Sequence, residues 1–181
     1  MHKIFFITGV NGAGKSTIIP YLKLILPEDS FVIHDFDARG VPPDADRKWR
    51  ISETKYWIGG GEKISEEKST IICGFIKPSD LVEYDLINNK SPEIVLVLLD
   101  AKPEIIKQRL INRYTKDGVF DKSQKVIGKP VDEFINGNVL FAEQIKNEFK
   151  KSDFSIIDTS NLIPEEVANE VVKIISIKEN K

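Results

Sequence analysis

KIFFITGVNGAGKST, residues 3–17, is the stretch on which the fold turns. Its first part, Lys3–Thr8, is an apolar run short enough to be a buried strand. Residues 16–26 that follow the glycines carry a helical pattern. Between them, Gly9, Gly14, Lys15 and Ser16 satisfy G-x-x-x-x-G-K-[ST], in the strand–turn–helix setting that a phosphate-binding loop requires. The residue types follow from the chemistry. Glycines let the backbone curl and turn successive N–H groups toward phosphate oxygens. The start of a helix adds a favourable dipole for an anion. Lys15 is expected to reach the β and γ phosphates, and the Ser16 hydroxyl to ligate Mg²⁺. Gly9, Asn11, Gly12, Ala13, Gly14, Lys15, Ser16 and Thr17 are therefore the expected contacts for ATP and Mg²⁺.

Outward from this loop, apolar runs alternate with helical patterns. Strands are expected at residues 31–34, 69–73, 93–99 and 154–157, and helices at 79–88, 103–113, 131–150 and 164–177. Near-continuous apolar strands separated by helices indicate a parallel sheet covered on both faces. Residues 38–68 and 114–130 do not fit this alternation, and long irregular stretches in compact domains are commonly functional.

The second strand runs into His34-Asp35-Phe36-Asp37. In an open α/β sheet the carboxyl ends of the strands face the ligand crevice. Strand alternation would send Asp35 and Asp37 to one side. One carboxylate could help hold Mg²⁺ and the other accept a proton from an attacking hydroxyl. Asp35 is favoured for the metal and Asp37 for the proton, because Asp37 lies nearer residues 38–68. Turn and cap chemistry is the structural alternative. His34 is expected to pack. Asp37-Ala38-Arg39-Gly40 also matches D-x-x-G, but no N-K-x-D guanine motif accompanies it, which argues against a GTPase.

Of the 26 basic residues, five are arginines, in two groups: Arg39, Arg47 and Arg50, and Arg109 and Arg113. A planar guanidinium grips phosphate or carboxylate bidentately, where lysine supplies only charge. Arg109 and Arg113 stand four apart on a helix leading into residues 114–130, where they could neutralise charge on a transferring phosphoryl group. On a helix running from Ala45, Arg47 and Arg50 would sit three apart and face one way, and with Trp49 beside them they suggest an anionic acceptor. Gly74, after the third strand, would allow a substrate to approach closely. Cys73 is expected to be a small buried hydrophobe.

Length suits one domain, and net charge −2 with pI about 5.8 disfavours nucleic acid as a partner. No apolar run approaches a membrane span, and no signal-peptide pattern opens the chain. One cysteine and two histidines make a disulfide framework or a structural zinc site improbable. A cytoplasmic location is the default expectation.

Together these residues resemble the small P-loop kinases of the nucleoside-monophosphate-kinase-like group: shikimate kinases, gluconate kinases and zeta-toxin-like phosphotransferases. HDFDA looks like their D-x-D after strand two. LDAKPEIIKQRLINR looks like the segment from strand four into the lid. IIDTSNLIPEEVANEVV looks like the strand-five loop and last helix. The resemblance implies that Ser160 and Arg109 lie on the nucleotide. The resulting expectation is one α/β domain, residues 1–181, with a three-layer α/β/α P-loop NTPase fold and a five-stranded parallel sheet ordered 2-3-1-4-5. Residues 38–68 would bind the acceptor and 114–130 would form a lid. The expected reaction is transfer of the ATP γ-phosphoryl group to a small anionic metabolite. The alternatives are a nucleoside monophosphate kinase and a non-transferring ATPase or nucleotide-dependent switch. Oligomeric state and the identity of the acceptor are left open.

Overall fold

The computed structural model describes residues 3–59, 68–84, 86, 92–115, 125–126 and 128–179. In chain order the elements are β1 (Lys3–Thr8), α1 (Lys15–Ile25), β2 (Phe31–Asp35), a 3₁₀ turn (Phe36–Arg39) and α2 (Arg47–Ile58). Then come β3 (Ser69–Cys73), α3 (Pro78–Glu83), β4 (Glu93–Asp100), α4 (Pro103–Tyr114), β5 (Lys125–Val126) and β6 (Lys129–Pro130). The last three are α5 (Val131–Phe149), β7 (Ser155–Asp158) and α6 (Pro164–Glu179). Five strands form one sheet in the order β2-β3-β1-β4-β7, with every pairing parallel. This is the expected topology. β5 and β6 form a separate antiparallel pair at the foot of α5.

β1 is buried along its whole length, so its alternating side chains feed two cores. Ile4 and Phe6 point to the layer of α2, α4 and α5, where they join Trp57, Leu110 and Ile145. Phe5 and Ile7 point to the layer of α1 and α6, among Ile18, Leu22, Val171 and Ile175. β4 divides the same way, with Leu96 and Leu98 on one face and Val95, Val97 and Leu99 on the other. Each such buried side chain is worth about 1.5–3 kcal/mol in apolar surface removed from water.

Residues 38–68 and 79–88 fill in the sequence expectation. Residues 38–68 contain a regular helix, α2, started by Asp46, whose carboxylate accepts the Trp49 N–H at 2.8 Å. The helix agrees with the one expected from Ala45, and it buries Trp57 and Ile58 together with Glu53 and Thr54. The helix expected at 79–88 is described only over Pro78–Glu83. Most of residues 114–130, including 116–124 and 127, lies outside the described residues, as do 60–67.

The sheet's C-terminal edge is tied together by Thr8. This fully buried hydroxyl donates to the Ile76 carbonyl at 2.7 Å and accepts from the Ile76 N–H at 3.0 Å. It fixes the turn after β3 beside the loop after β1. Thr8→Val keeps the shape and strands both Ile76 groups in the core. Denaturant unfolding should show a loss of about 2–4 kcal/mol at unchanged m-value. A loss near zero would mean that Ile76 finds other partners.

Candidate active site

The loop between β1 and α1 turns on Gly14, whose φ of 103° is in the left-handed region that disfavours side chains. A Cβ built on Gly14 would have no protein atom within 4 Å, so the backbone here borders an open cradle. The Ser16 and Thr17 side chains stand exposed beside it. Lys15 bends back over the loop, and its Nζ donates to the carbonyls of Gly9 at 2.8 Å and Val10 at 3.0 Å. Burial lowers its pKa to about 8, opposed by the nearby carboxylates of Asp37 and Asp35.

Both aspartates thus come to Lys15, but not by strand alternation. β2 ends at Asp35, and the chain turns into the 3₁₀ segment, where the Asp35 Oδ1 caps the Asp37 N–H at 3.0 Å. The side chain expected to help hold Mg²⁺ is therefore also the cap of this turn. Asp37 has its pKa raised, first by burial and then by Asp35, while Arg50 and Lys15 pull it down. A carboxylate with raised proton affinity beside two cations suits proton acceptance.

The three arginines near α2 part company. Arg39 is held by Glu53 at 3.2 Å and lies 3.6 Å from the Tyr56 ring centroid. Arg47 pairs with Glu83 on the surface. Arg50 instead lies over Phe75 at 5.4 Å, with Trp49 at 6.0 Å, and its charge acts on both Asp37 and Lys15. The expectation that Arg47 and Arg50 face one way is thus corrected, since Glu83 draws Arg47 aside. Trp49 sits edge-on to Phe36, with ring centroids 6.2 Å apart.

Arg109 and Arg113 also separate. Arg109 bonds the Thr159 carbonyl at 2.7 Å, the Thr159 hydroxyl at 3.0 Å and the Gly12 carbonyl at 3.4 Å. It seams the phosphate loop to the end of β7. Arg113 is exposed and lies 5.5 Å from the Tyr114 ring centroid. Arg109 is thus held at the phosphate loop by Thr159 and Gly12, while Arg113, one turn on, lies at the exposed end of α4 that leads toward residues 116–124. Ser160 caps the same turn, accepting from the Lys102 N–H at 2.9 Å and donating to Asp158.

Gly74 has a different reason from the expected one. A Cβ there would lie 2.3 Å from the Phe36 Cβ, so the missing side chain makes room for Phe36 and not for a ligand. Cys73 is buried and its thiol pKa is pushed up to about 12, as suits an inert core residue. His34 packs on Trp57, with ring centroids 4.7 Å apart. Sequence reasoning missed Thr159, Phe75 and Asn138. Asn138 reaches Asn11 from 127 residues away, a separation that leaves no local signal.

These residues fit a polyphosphate, with a backbone cradle, a lysine and exposed hydroxyls in one place. Ser16 and Asp35 supply the hard oxygens that Mg²⁺ prefers. Among the described residues no group of three or more His, Cys, Asp or Glu could hold a metal ion by itself. Mg²⁺ commonly binds through one or two protein ligands plus phosphate oxygens, so this donor set is compatible with it.

The fold and loop define a P-loop NTPase architecture of the kind found in small kinases. An unliganded sugar kinase from Janibacter sp. HTCC2649 superposes with a TM-score of 0.58 at 16% identity, covering 98% of this chain and 96% of its own. Shikimate kinase from Acinetobacter baumannii, in complex with shikimate, gives 0.55 at 14% identity, covering 100% and 96%. Shikimate kinase from Bacteroides thetaiotaomicron gives 0.58 at 16%, covering 97% and 98%. Identities this low carry the fold and not the substrate. No family model matches the chain, and no curated protein matches its sequence. Among the described residues no helix is long and apolar enough to cross a membrane.

With its pKa at about 8, Lys15 is partly neutral near that pH in the free protein. A polyphosphate beside it favours the charged form, so nucleotide binding at pH 8 should take up a fraction of a proton. Titration calorimetry in buffers of different ionisation enthalpy measures this uptake, and Lys15→Met should remove it. Equal apparent enthalpies in all buffers for the unaltered protein would contradict the assignment.

Proposed function

We propose that the chain is an ATP-dependent phosphotransferase that moves the γ-phosphoryl group to the hydroxyl of a small anionic acceptor. It would act as one domain, with residues 38–68 on the acceptor side and 114–130 as a lid. The observation that carries this reading is that Lys15, folded onto the Gly9 and Val10 carbonyls of the loop, lies within the electrostatic reach of Asp37 and Arg50. Lys15 serves the β and γ oxygens. Arg50, with no carboxylate in salt-bridge contact among the described residues, is available to hold an acceptor anion, and Phe75 and Trp49 supply apolar walls. Holding the acceptor in one orientation is what in-line attack on the γ-phosphorus requires.

The acceptor hydroxyl attacks that phosphorus, and its proton passes to Asp37. The bond from the γ-phosphorus to the bridging oxygen breaks, and ADP leaves with the electron pair. Mg²⁺, held by Ser16 and Asp35, would neutralise phosphate charge. The fold similarity to sugar and shikimate kinases supports a small acceptor.

The deciding experiment is ADP release across nucleosides, nucleoside monophosphates, sugar acids and hydroxy acids. Acceptor-dependent release supports transfer. Release at one rate whatever the acceptor would replace this reading by an ATPase or switch. Asp37→Asn should lower kcat by about two orders of magnitude or more. Asp37 must be unprotonated to act, and its pKa is raised above 3.8. The rate should therefore fall on acidification at a higher pH than an ordinary carboxylate would cause, and Asp37→Asn should lack that limb.

Arg50→Lys keeps the charge and loses the fork. The acceptor KM should rise by about three- to tenfold while the ATP KM holds steady. An uncharged best acceptor, with Arg50→Lys silent, would return Arg50 to the surface.

A further inference from the structure

A clasp between α5 and the phosphate loop lies outside the chemistry above. The Asn138 Oδ1 accepts from the Asn11 N–H at 3.2 Å and from the Asn11 Nδ2 at 3.1 Å. Its own Nδ2 donates to the Phe134 carbonyl at 2.8 Å, one turn back along α5. That last bond sets the orientation of the amide: the nitrogen is turned into the helix, so the oxygen faces the loop.

Asn11 directly follows Gly9 and Val10, whose carbonyls hold the Lys15 ammonium. Lys15 is the group that reaches the β and γ phosphates, so Asn11 stands at the terminal-phosphate end of the cradle. The helix that brings Asn138 there is braced elsewhere. Lys146 pairs with the buried Asp100 at 2.6 Å, Glu148 with Lys77 at 3.6 Å, and Phe141 packs on Phe75 with centroids 5.5 Å apart. Asn138 and Phe141 lie three apart, on one side of α5. One helix therefore touches the loop at Asn138 and the Arg50–Phe75 wall at Phe141.

We infer that Asn138 is a positioning residue for the terminal phosphate, holding Asn11 so that the loop distinguishes a triphosphate from a diphosphate. This rests on the phosphotransferase reading, but concerns a residue on an element that supplies none of the groups assigned above. The neutral amide is the informative feature. An aspartate of the same shape would keep the acceptor for Asn11, lose the donor to Phe134, and set a negative charge where the third phosphate comes closest.

The test is titration calorimetry of the full chain with Mg·ADP and with Mg²⁺ plus a non-hydrolysable ATP analogue. The proteins are the unaltered chain, Asn138→Asp, Asn138→Ala, Asn11→Ala and the double alanine variant. Asn138→Asp should weaken the triphosphate analogue about tenfold more than ADP, since repulsion falls with distance. Asn138→Ala should act in the same direction, and the double variant should lose little beyond Asn11→Ala alone. These two results remain readable if Asn138→Asp does not fold. A general weakening of the fold would lower both affinities together and leave their ratio unchanged. A ratio altered by less than about threefold, or alanine losses that simply add, would overturn the inference. Binding of neither nucleotide by the unaltered chain would overturn the phosphotransferase reading and this inference with it.

Discussion

β1 has no solvent face, and the rest of the molecule follows from that constraint. Ile4 and Phe6 need one layer of helices and Phe5 and Ile7 another, so the strand must lie inside the sheet with helices above and below. A chain leaving such a strand can emerge only at the sheet's edge. The loop from Gly9 to Gly14 emerges there, between the ends of β3 and β4. The phosphate cradle sits at the carboxyl edge because the core leaves the chain no other exit.

The edge is held by bonds between elements far apart in sequence. Thr8 fastens the turn after β3, Arg109 fastens the phosphate loop to the end of β7, and Asn138 reaches the loop from α5. The Thr8 hydroxyl is fully buried and the Arg109 guanidinium part-buried, so leaving either unpaired would be costly, while the Asn138 bonds to the exposed Asn11 add a tie of geometry. The effect is to set loop geometry before any ligand arrives. Binding then does not have to supply the ordering entropy.

Charge is arranged on the same principle. Glu53 and Glu83 take up Arg39 and Arg47, leaving Arg50 facing Asp37 and Lys15. Burial lowers the proton affinity of Lys15 and raises that of Asp37. Each is thereby moved toward its neutral form, and a bound polyphosphate favours the charged lysine.

The strand pattern and the phosphate loop were legible in the sequence because each is written in contiguous residues, whereas the sheet order followed from the resemblance to small P-loop kinases. Apolar runs mark buried strands, and G-x-x-x-x-G-K-S marks a backbone that must expose its N–H groups. Asp35, Asp37 and Arg50 could be picked out by residue type and position after a strand or on a helix. Their neighbours could not. That Arg47 meets Glu83 while Arg50 meets Phe75 depends on how α2 docks against α3 and the turn after β3. That Gly74 serves Phe36 depends on the chain turning at Asp35. Asn138 on Asn11 and Arg109 on Thr159 join residues 127 and 50 positions apart. The sequence by itself determined the strands, the loop and the kinds of group at its mouth. Which of those groups face the cradle was decided by tertiary packing, because the direction of a side chain on a helix is set by what that helix is pressed against.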